Sequence, residues 1–196
     1  MRYRPEHKAE VHRRIVKDAS RRVRAEGLSG AAVAEVMRDT GLTHGGFYKH
    51  FGSKDELLLE SLREAFREIA DNLARAAEQA RPEAAWKAIV KAYLSLEYCD
   101  HVEHGCPLTV LAPEMARVDM GMSGQIFAAL VKYKDRMLPF MPGRRTRDKE
   151  RAFFVIFSTM VGAVEIARML PDVLRRKRCC QAHENFFCAA FDFHTR

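Results

Sequence analysis

Apolar residues recur at intervals of three and four along nearly all of this 196-residue chain, and the two-residue alternation of a half-buried strand is sustained nowhere. That periodicity predicts an all-α protein. Val11, Ile15, Ala19 and Val23 form the stripe of a first helix, which Gly27 stops. A short second helix is expected over residues 31–40, with Val33, Val36 and Met37 facing inward and Gly41 ending it as a C′ glycine. A third short helix starts near Thr43, which can cap it, and Gly52-Ser53 breaks the chain. Ser53 followed three residues on by Glu56 has the pattern of a capping box. A long helix should run from there to about residue 80, with Leu57, Leu58, Leu62, Phe66, Ile69 and Leu73 on its apolar side.

Beyond Arg81-Pro82, the spacing of Trp86, Ile89, Val90, Tyr93, Leu94 and Leu96 predicts one helix to about residue 100. Gly105-Cys106-Pro107 is a break and a restart, because proline suits a first helical turn. Helices over about 107–117 and 121–141 follow. Pro142-Gly143 makes a turn, and two last helices cover 147–170 and about 173–193. The expected total is about nine, three of them short and confined to the first 52 residues. No internal repeat or low-complexity segment interrupts them.

The net charge of +7 is distributed unevenly. Residues 1–54 hold twelve Lys/Arg and six Asp/Glu, a balance of +6, whereas residues 55–196 hold twenty-one and twenty, a balance of +1. A basic first quarter points to a nucleic-acid or anionic partner for that part of the chain. No run of eighteen apolar residues suggests a membrane span. The charged N-terminus lacks the apolar segment of a signal peptide. The five cysteines (Cys99, Cys106, Cys179, Cys180, Cys188) form no CxxC pair and suit reduced thiols, so a cytoplasmic protein is expected. No nucleophile elbow, phosphate loop, HExxH or paired-carboxylate motif is present, so an enzyme is not expected, and nothing in the sequence requires a cofactor.

The second and third helices are joined by Thr40-Gly41-Leu42-Thr43, a spacing that fits a helix-turn-helix. The stretch from Gly41 to Leu58 then resembles the signature of the TetR family of bacterial repressors. The family's turn is matched by Gly41-Leu42-Thr43, the end of its recognition helix by Tyr48-Lys49-His50-Phe51, and the segment after it by Ser53-Lys54-Asp55-Glu56-Leu57. Ile15 and Glu26-Gly27 agree as well, and the resemblance covers roughly residues 10–70. It implies a helix-turn-helix DNA-binding domain over residues 1–54 and a helical effector-binding and dimerisation domain over 55–196. It also implies a palindromic double-stranded operator, release by a small molecule, and a homodimer through the last two helices. Where the family carries a Thr-Ser/Thr cap before its second helix, this chain has Leu28-Ser29-Gly30-Ala31-Ala32, leaving Ser29 or Gly30 to cap it.

The residues themselves suit that task. Gly45 and Gly46 bare the backbone of the reading helix at a cost of about 1 kcal/mol of helix propensity each, a local conflict expected at a functional surface. Thr43 opens the helix. His44 and Lys49 are placed to reach bases or phosphates, and Tyr48 and His50 suit phosphate oxygens. Lys54 stands in the first turn of the next helix, where free amides also attract phosphate. Phe47 and Phe51, four apart, belong to the core, and a packing role for His50 is the alternative. Arg2, Arg4 and Lys8 either track phosphates or form a charged tail.

In the remainder, Phe153, Phe154, Phe157, Met160, Val161 and Val164, with Gly162-Ala163 for close approach, give one helix more apolar breadth than a single buried stripe needs. Phe186, Phe187, Ala190 and Phe191 add to the last helix. Gly105-Cys106-Pro107-Leu108, with Leu111-Ala112-Pro113-Glu114-Met115, resembles one branch of TetR-like regulators, some of which sense electrophiles or oxidants through the cysteine after the glycine. Cys106 at a helix N-terminus should have a lowered pKa, which makes it the candidate sensor thiol, with a small N-cap residue as the plainer reading. Cys99, His101, His104 and Cys106 also read as a zinc ligand set, but their spacing matches no recognised site.

Overall fold

The computed structural model describes residues 5–41 and 43–191, apart from the side chains of Pro5, Ala31 and His44. Arg2, Arg4, Leu42 of the turn and the expected end of the last helix beyond residue 191 lie outside the described residues. Ten α-helices and four 3-10 turns occur among the described residues, with no strand. The helices are α1 (Pro5–Glu26), α2 (Val33–Asp39), α3 (His44–Phe47), α4 (Lys54–Glu78), α5 (Ala85–Tyr93), α6 (Leu96–Asp100), α7 (Leu108–Met115), α8 (Met120–Met137), α9 (Thr146–Met169) and α10 (Val173–Phe191). The all-α reading therefore stands.

The extra helix comes from residues 85–100, where one was expected. The backbone leaves helical geometry at Leu94, and Ser95 starts again by accepting a hydrogen bond from the Tyr98 amide at 3.2 Å. The apolar spacing runs straight across this break, so periodicity alone hides it. Other ends behave as the residue chemistry dictates. Gly41 has φ 72° with open space around its Cα, the left-handed C′ position that glycine adopts without strain. Ser53 Oγ accepts from the Glu56 amide at 3.1 Å, and Glu56 reaches back to the Gly52 amide rather than to that of Ser53. Asp119 caps α8 through the amides of Gly121 and Met122. Ser29 caps no helix. It lies in a 3-10 turn over Leu28–Ala31 and donates to the Glu26 carbonyl, so it closes α1 while α2 starts without a side-chain cap.

Two apolar clusters hold the fold. The smaller gathers Ile15, Val16 and Ala19 of α1, Val36 and Met37 of α2, Phe47, Phe51 and Leu57. The larger is built on α4, which packs against α1, α5 and α8, and includes α9, α10 and Val23 of α1. Each fully buried Leu or Phe contributes about 1.5–3 kcal/mol of transfer free energy. α1 thus serves both clusters, with its middle in one and Val23 of its last turn in the other. α9 is long and apolar enough to cross a membrane, at a mean hydropathy of 1.6, with 44% of that stretch buried in the fold. Ala152, Phe153, Ile156, Phe157, Met160, Ala163, Val164 and Ala167 form its inward stripe, which is the behaviour of a core helix.

Candidate nucleic-acid interface

The turn and short helix after α2 are held from below and from the side. Phe47 and Phe51, stacked at 5.4 Å, are buried, and His12 stacks on Phe51 at 4.5 Å while its Nε2 meets Glu60 at 2.7 Å. Arg14 of α1 donates to the Thr40 carbonyl at 3.0 Å, at the very end of α2. Arg22 joins α1 to α2 through Asp39 and Glu35 and to the intervening turn through the Gly30 carbonyl. The opposite side of the turn is left to solvent. Thr43, Gly45, Tyr48, Lys49 and Lys54 are exposed, with Tyr48 at 65%, and Gly46 is half-buried.

The reading helix is shorter than expected. Only His44–Phe47 is α-helical, and residues 48–50 continue as a turn in which the His50 amide bonds the Phe47 carbonyl at 2.8 Å. Two adjacent glycines supply little helix propensity, and the anchoring of Phe47 and Phe51 sets the path instead. A Cβ at Gly45 would meet nothing within 4 Å, so the backbone there is bare to whatever approaches. The His44 side chain lies outside the described residues.

His50 is turned inward. It is half-buried, its Nδ1 is enclosed with no hydrogen-bond partner, and its ring lies 6.0 Å from that of His12. Burial first, then the nearby charges of His12, Lys8 and Lys49, lower its pKa, so it is neutral at pH 7. This favours the packing role over a charged phosphate contact. Tyr48 lies edge-on to Phe47 at 5.1 Å and projects its ring outward.

α1 completes the surface. His7, Lys8, Val11 and Arg14 line one groove of about 470 Å³ with Gly41, Thr43, Gly46, Lys49 and His50. Lys8 is therefore part of a helix beside the reading turn rather than of a loose tail. His7 and Arg14 escaped the sequence reading because only packing brings a helix some thirty residues upstream against α3 (about the sequence distance from Arg14 to His44). A periodicity count on α1 that asked which basic residues fall three or four positions from Val11, on its own face, would have found them.

The far end of α1 is wired to the larger cluster. Arg24 is fully buried. It donates to Glu68 Oε2 at 2.6 Å, to the Gly105 carbonyl at 3.2 Å and to its own helix at Ser20. Burial alone would raise the Glu68 carboxyl, but the hydrogen bond and charge of Arg24, helped by His104 and Arg21, hold it below its ordinary range. The Leu28 amide donates to Glu114 of α7 at 3.0 Å. On the other side of the Gly105 turn, Arg168 of α9 donates to the Cys99 carbonyl and to Thr109 Oγ1, both at 2.9 Å.

Cys106 departs from its expected chemistry. Burial pushes its thiol pKa up, and it outweighs the Tyr93 hydroxyl and the amides of Leu108 and Thr109, which favour the thiolate as a helix start should. The residue has no exposed surface. His101 and His104 face outward toward Glu103 and Glu68, and among the described residues no three His, Cys, Asp or Glu side chains converge on a metal position.

These elements define a helix-turn-helix protein with a larger helical bundle joined to it through α1. Residues 15–61 match the family of bacterial regulatory proteins described as the tetR family. Over 125 residues the chain is 29% identical to the HTH-type transcriptional regulator BetI of Stenotrophomonas maltophilia, a match spanning 60% of this chain and 64% of that one. Its fold is similar to that of a TetR transcriptional regulator from Chloroflexus aurantiacus, with a TM-score of 0.74, 21% identity and coverage of 93% and 96% of the two chains. A TetR-family regulator from Cytophaga hutchinsonii is similar with a TM-score of 0.75, 16% identity and coverage of 95% and 98%. The tetR-family match thus covers residues 15–61, about a quarter of the chain, and the likeness of the whole chain to the solved TetR regulators is one of fold.

Proposed function

We propose that this protein is a DNA-binding transcriptional repressor that holds a palindromic operator as a homodimer and leaves it when a small molecule occupies the larger bundle. The observation that carries the reading is the exposed face of Thr43, Gly45, Tyr48 and Lys49 flanked by Lys8 and Arg14 of α1. A bare backbone segment between basic side chains suits a major groove bordered by phosphates. Residues 1–54 act as the DNA-binding domain and 55–196 as the effector and dimerisation domain.

The dimer uses α9 and α10. Behind its inward stripe, α9 carries a second one, with Phe154 (58% exposed), Ile166 and Met169 (83%) outward and open space beside Gly162. α10 buries only Cys180 and Phe187 along nineteen residues and leaves Val173, Leu174 and Phe186 exposed. A second copy laid on these two helices covers both stripes as a four-helix bundle. Two reading segments then face successive turns of one duplex. Release is a population shift toward a dimer whose spacing no longer matches the operator. Reaction at Cys106 is a second route to the same shift only after the bundle opens, because the thiol is fully buried in the closed fold beside the turn that Arg24 holds.

The test is a mobility-shift titration on the DNA upstream of the protein's own gene at several salt concentrations. Binding to one palindrome, tight and salt-sensitive, is the expected result. Equal affinity for unrelated duplexes of the same length overturns the reading.

A further inference from the structure

The centre of the larger bundle contains more polar atoms than its packing requires. Tyr93 of α5, Tyr98 of α6 and Tyr133 of α8 come from three helices to one place. Tyr93 and Tyr98 lie ring to ring at 4.5 Å, and Phe157 is edge-on to both Tyr93 and Tyr133. All three hydroxyl oxygens are buried and none makes a hydrogen bond of good geometry, although Tyr93 lies close to the Cys106 thiol and the Tyr98 hydroxyl, and Tyr98 close to the Cys106 backbone. The three hydroxyls and the buried Cys106 thiol lie within electrostatic reach of one another. Phenylalanine would fill the same space, and an unpaired buried hydroxyl is unfavourable. Tyr133, which has no polar partner, and its two poorly satisfied neighbours together mark a place suited to an added oxygen or nitrogen atom.

We infer that the hydroxyls of Tyr93, Tyr98 and Tyr133, grouped beside the Cys106 thiol, form the polar end of a binding site for an apolar molecule that presents an uncharged carbonyl oxygen. A carbonyl accepts hydrogen bonds, and a tyrosine hydroxyl donates one. The two cations that act on Tyr98 and Cys106 inside the bundle point elsewhere. Arg24 is engaged by Glu68 and Gly105, and Arg168 by the carbonyls of Tyr98 and Cys99 and by Thr109. An anion at the cluster would therefore be buried without a counter-charge. The rest of the surroundings is apolar, with Phe66, Phe153 and Phe157 packed around Tyr133. The approach is a groove of about 460 Å³ between α4 and α8, with Phe66, Ala70, Ala129 and Tyr133 on its buried side and Arg63, Arg67, Asp71, Lys132 and Arg136 at its charged rim. A ligand drawn inward past Tyr133 lies against Cys106 and hence against the turn gripped by Arg24. The inference rests on reading this bundle as the effector-binding part. Its test uses no DNA, so it fails separately from the operator reading.

The probes are benzophenone and diphenylmethane, which share shape and apolar surface and differ in C=O against CH2. Equilibrium dialysis of each against the intact protein gives two dissociation constants, and the ketone binds about tenfold tighter, the worth of about one good hydrogen bond. In the Tyr93→Phe/Tyr98→Phe/Tyr133→Phe protein, with its helical content checked by circular dichroism, the two constants become equal. Should that variant not fold, Tyr133→Phe alone reduces the ketone preference at least threefold. Ultraviolet irradiation of the bound ketone attaches it to peptides carrying Tyr93, Tyr98, Cys106 or Tyr133. Equal affinities for the two probes in the parent protein, which is the result if water alone satisfies the hydroxyls, overturn the proposal. So do a preference retained by the triple variant and attachment elsewhere on the chain.

Discussion

Arg24, fully enclosed near the end of α1, donates to the carbonyl of Gly105, eighty-one residues away, while its other nitrogen holds Glu68 at 2.6 Å. One side chain thus connects the helix beside the reading turn with the loop that precedes α7. Replacing it with methionine leaves Glu68 and the Gly105 carbonyl without their partner. Urea unfolding of Arg24→Met should show a loss of about 3 kcal/mol, and a loss under 1 kcal/mol would mean that water replaces the guanidinium at little expense.

The same pair sets an acid limit. The Glu68 carboxyl is held below its ordinary range in the fold, so the stability it contributes is complete above the unfolded-state pKa of about 4.3. That contribution disappears as pH falls through the lower folded value. His50 acts at higher pH. Its folded pKa lies below the unfolded value of about 6.5, so the unfolded chain takes the proton first and stability declines as pH drops beneath that point. Chemical denaturation at a series of pH values should show the upper decline weakened in His50→Gln and the lower one weakened in Arg24→Met.

On DNA, Lys49→Ala should reduce the slope of log affinity against log salt by about 0.9, one phosphate's worth, with little change in sequence preference. An unchanged slope places Lys49 off the backbone. Tyr48→Phe retains the ring and removes the hydroxyl, and weaker operator binding with unaltered melting is expected of it.

Gly27 has φ 82°, and a Cβ there would approach Glu114 Oε1 to 2.7 Å. Gly27→Ala should cost about 1–3 kcal/mol from the backbone alone, because φ 82° with ψ −175° is a conformation essentially confined to glycine. The displaced Glu114 also releases the Leu28 amide. A melting temperature equal to the parent's would show that the turn after α1 rearranges freely.

The outward stripe of α9 gives a hydrodynamic prediction. Phe154→Glu with Met169→Glu should sediment as a monomer at concentrations where the parent is a dimer, because both side chains would be charged within the shared bundle. Helical content should be unchanged, since neither residue is buried in the single chain.

How far the residues themselves disclose this molecule depends on the range of the interaction. Helix stripes, the Gly41 stop and the Ser53 cap are local, written within a turn or two of chain, and all are legible. The break at Leu94–Ser95 is not, because an apolar residue there continues the stripe while the backbone does not. The groove lining from His7 and Arg14 depends on how α1 lies across α3. Cys106 shows the contrast within a single atom. The helix start that should favour its thiolate is visible in Gly-Cys-Pro, whereas the burial that overrides it comes from Tyr93, Tyr98 and the rest of the bundle. Alkylation kinetics should register that ordering, with the half-buried Cys179 and Cys188 reacting before Cys106.

α1 runs unbroken for twenty-two residues, with Arg24 clamped at one end and Lys8 beside the reading turn at the other. Those two positions are about 24 Å apart along the axis. A pivot of about 5° at the clamp therefore swings the Lys8 end through about 2 Å. On the proposed reading, leverage of that size would convert a slight adjustment deep in the bundle into a misfit between protein and duplex, with no unfolding of any helix along the way.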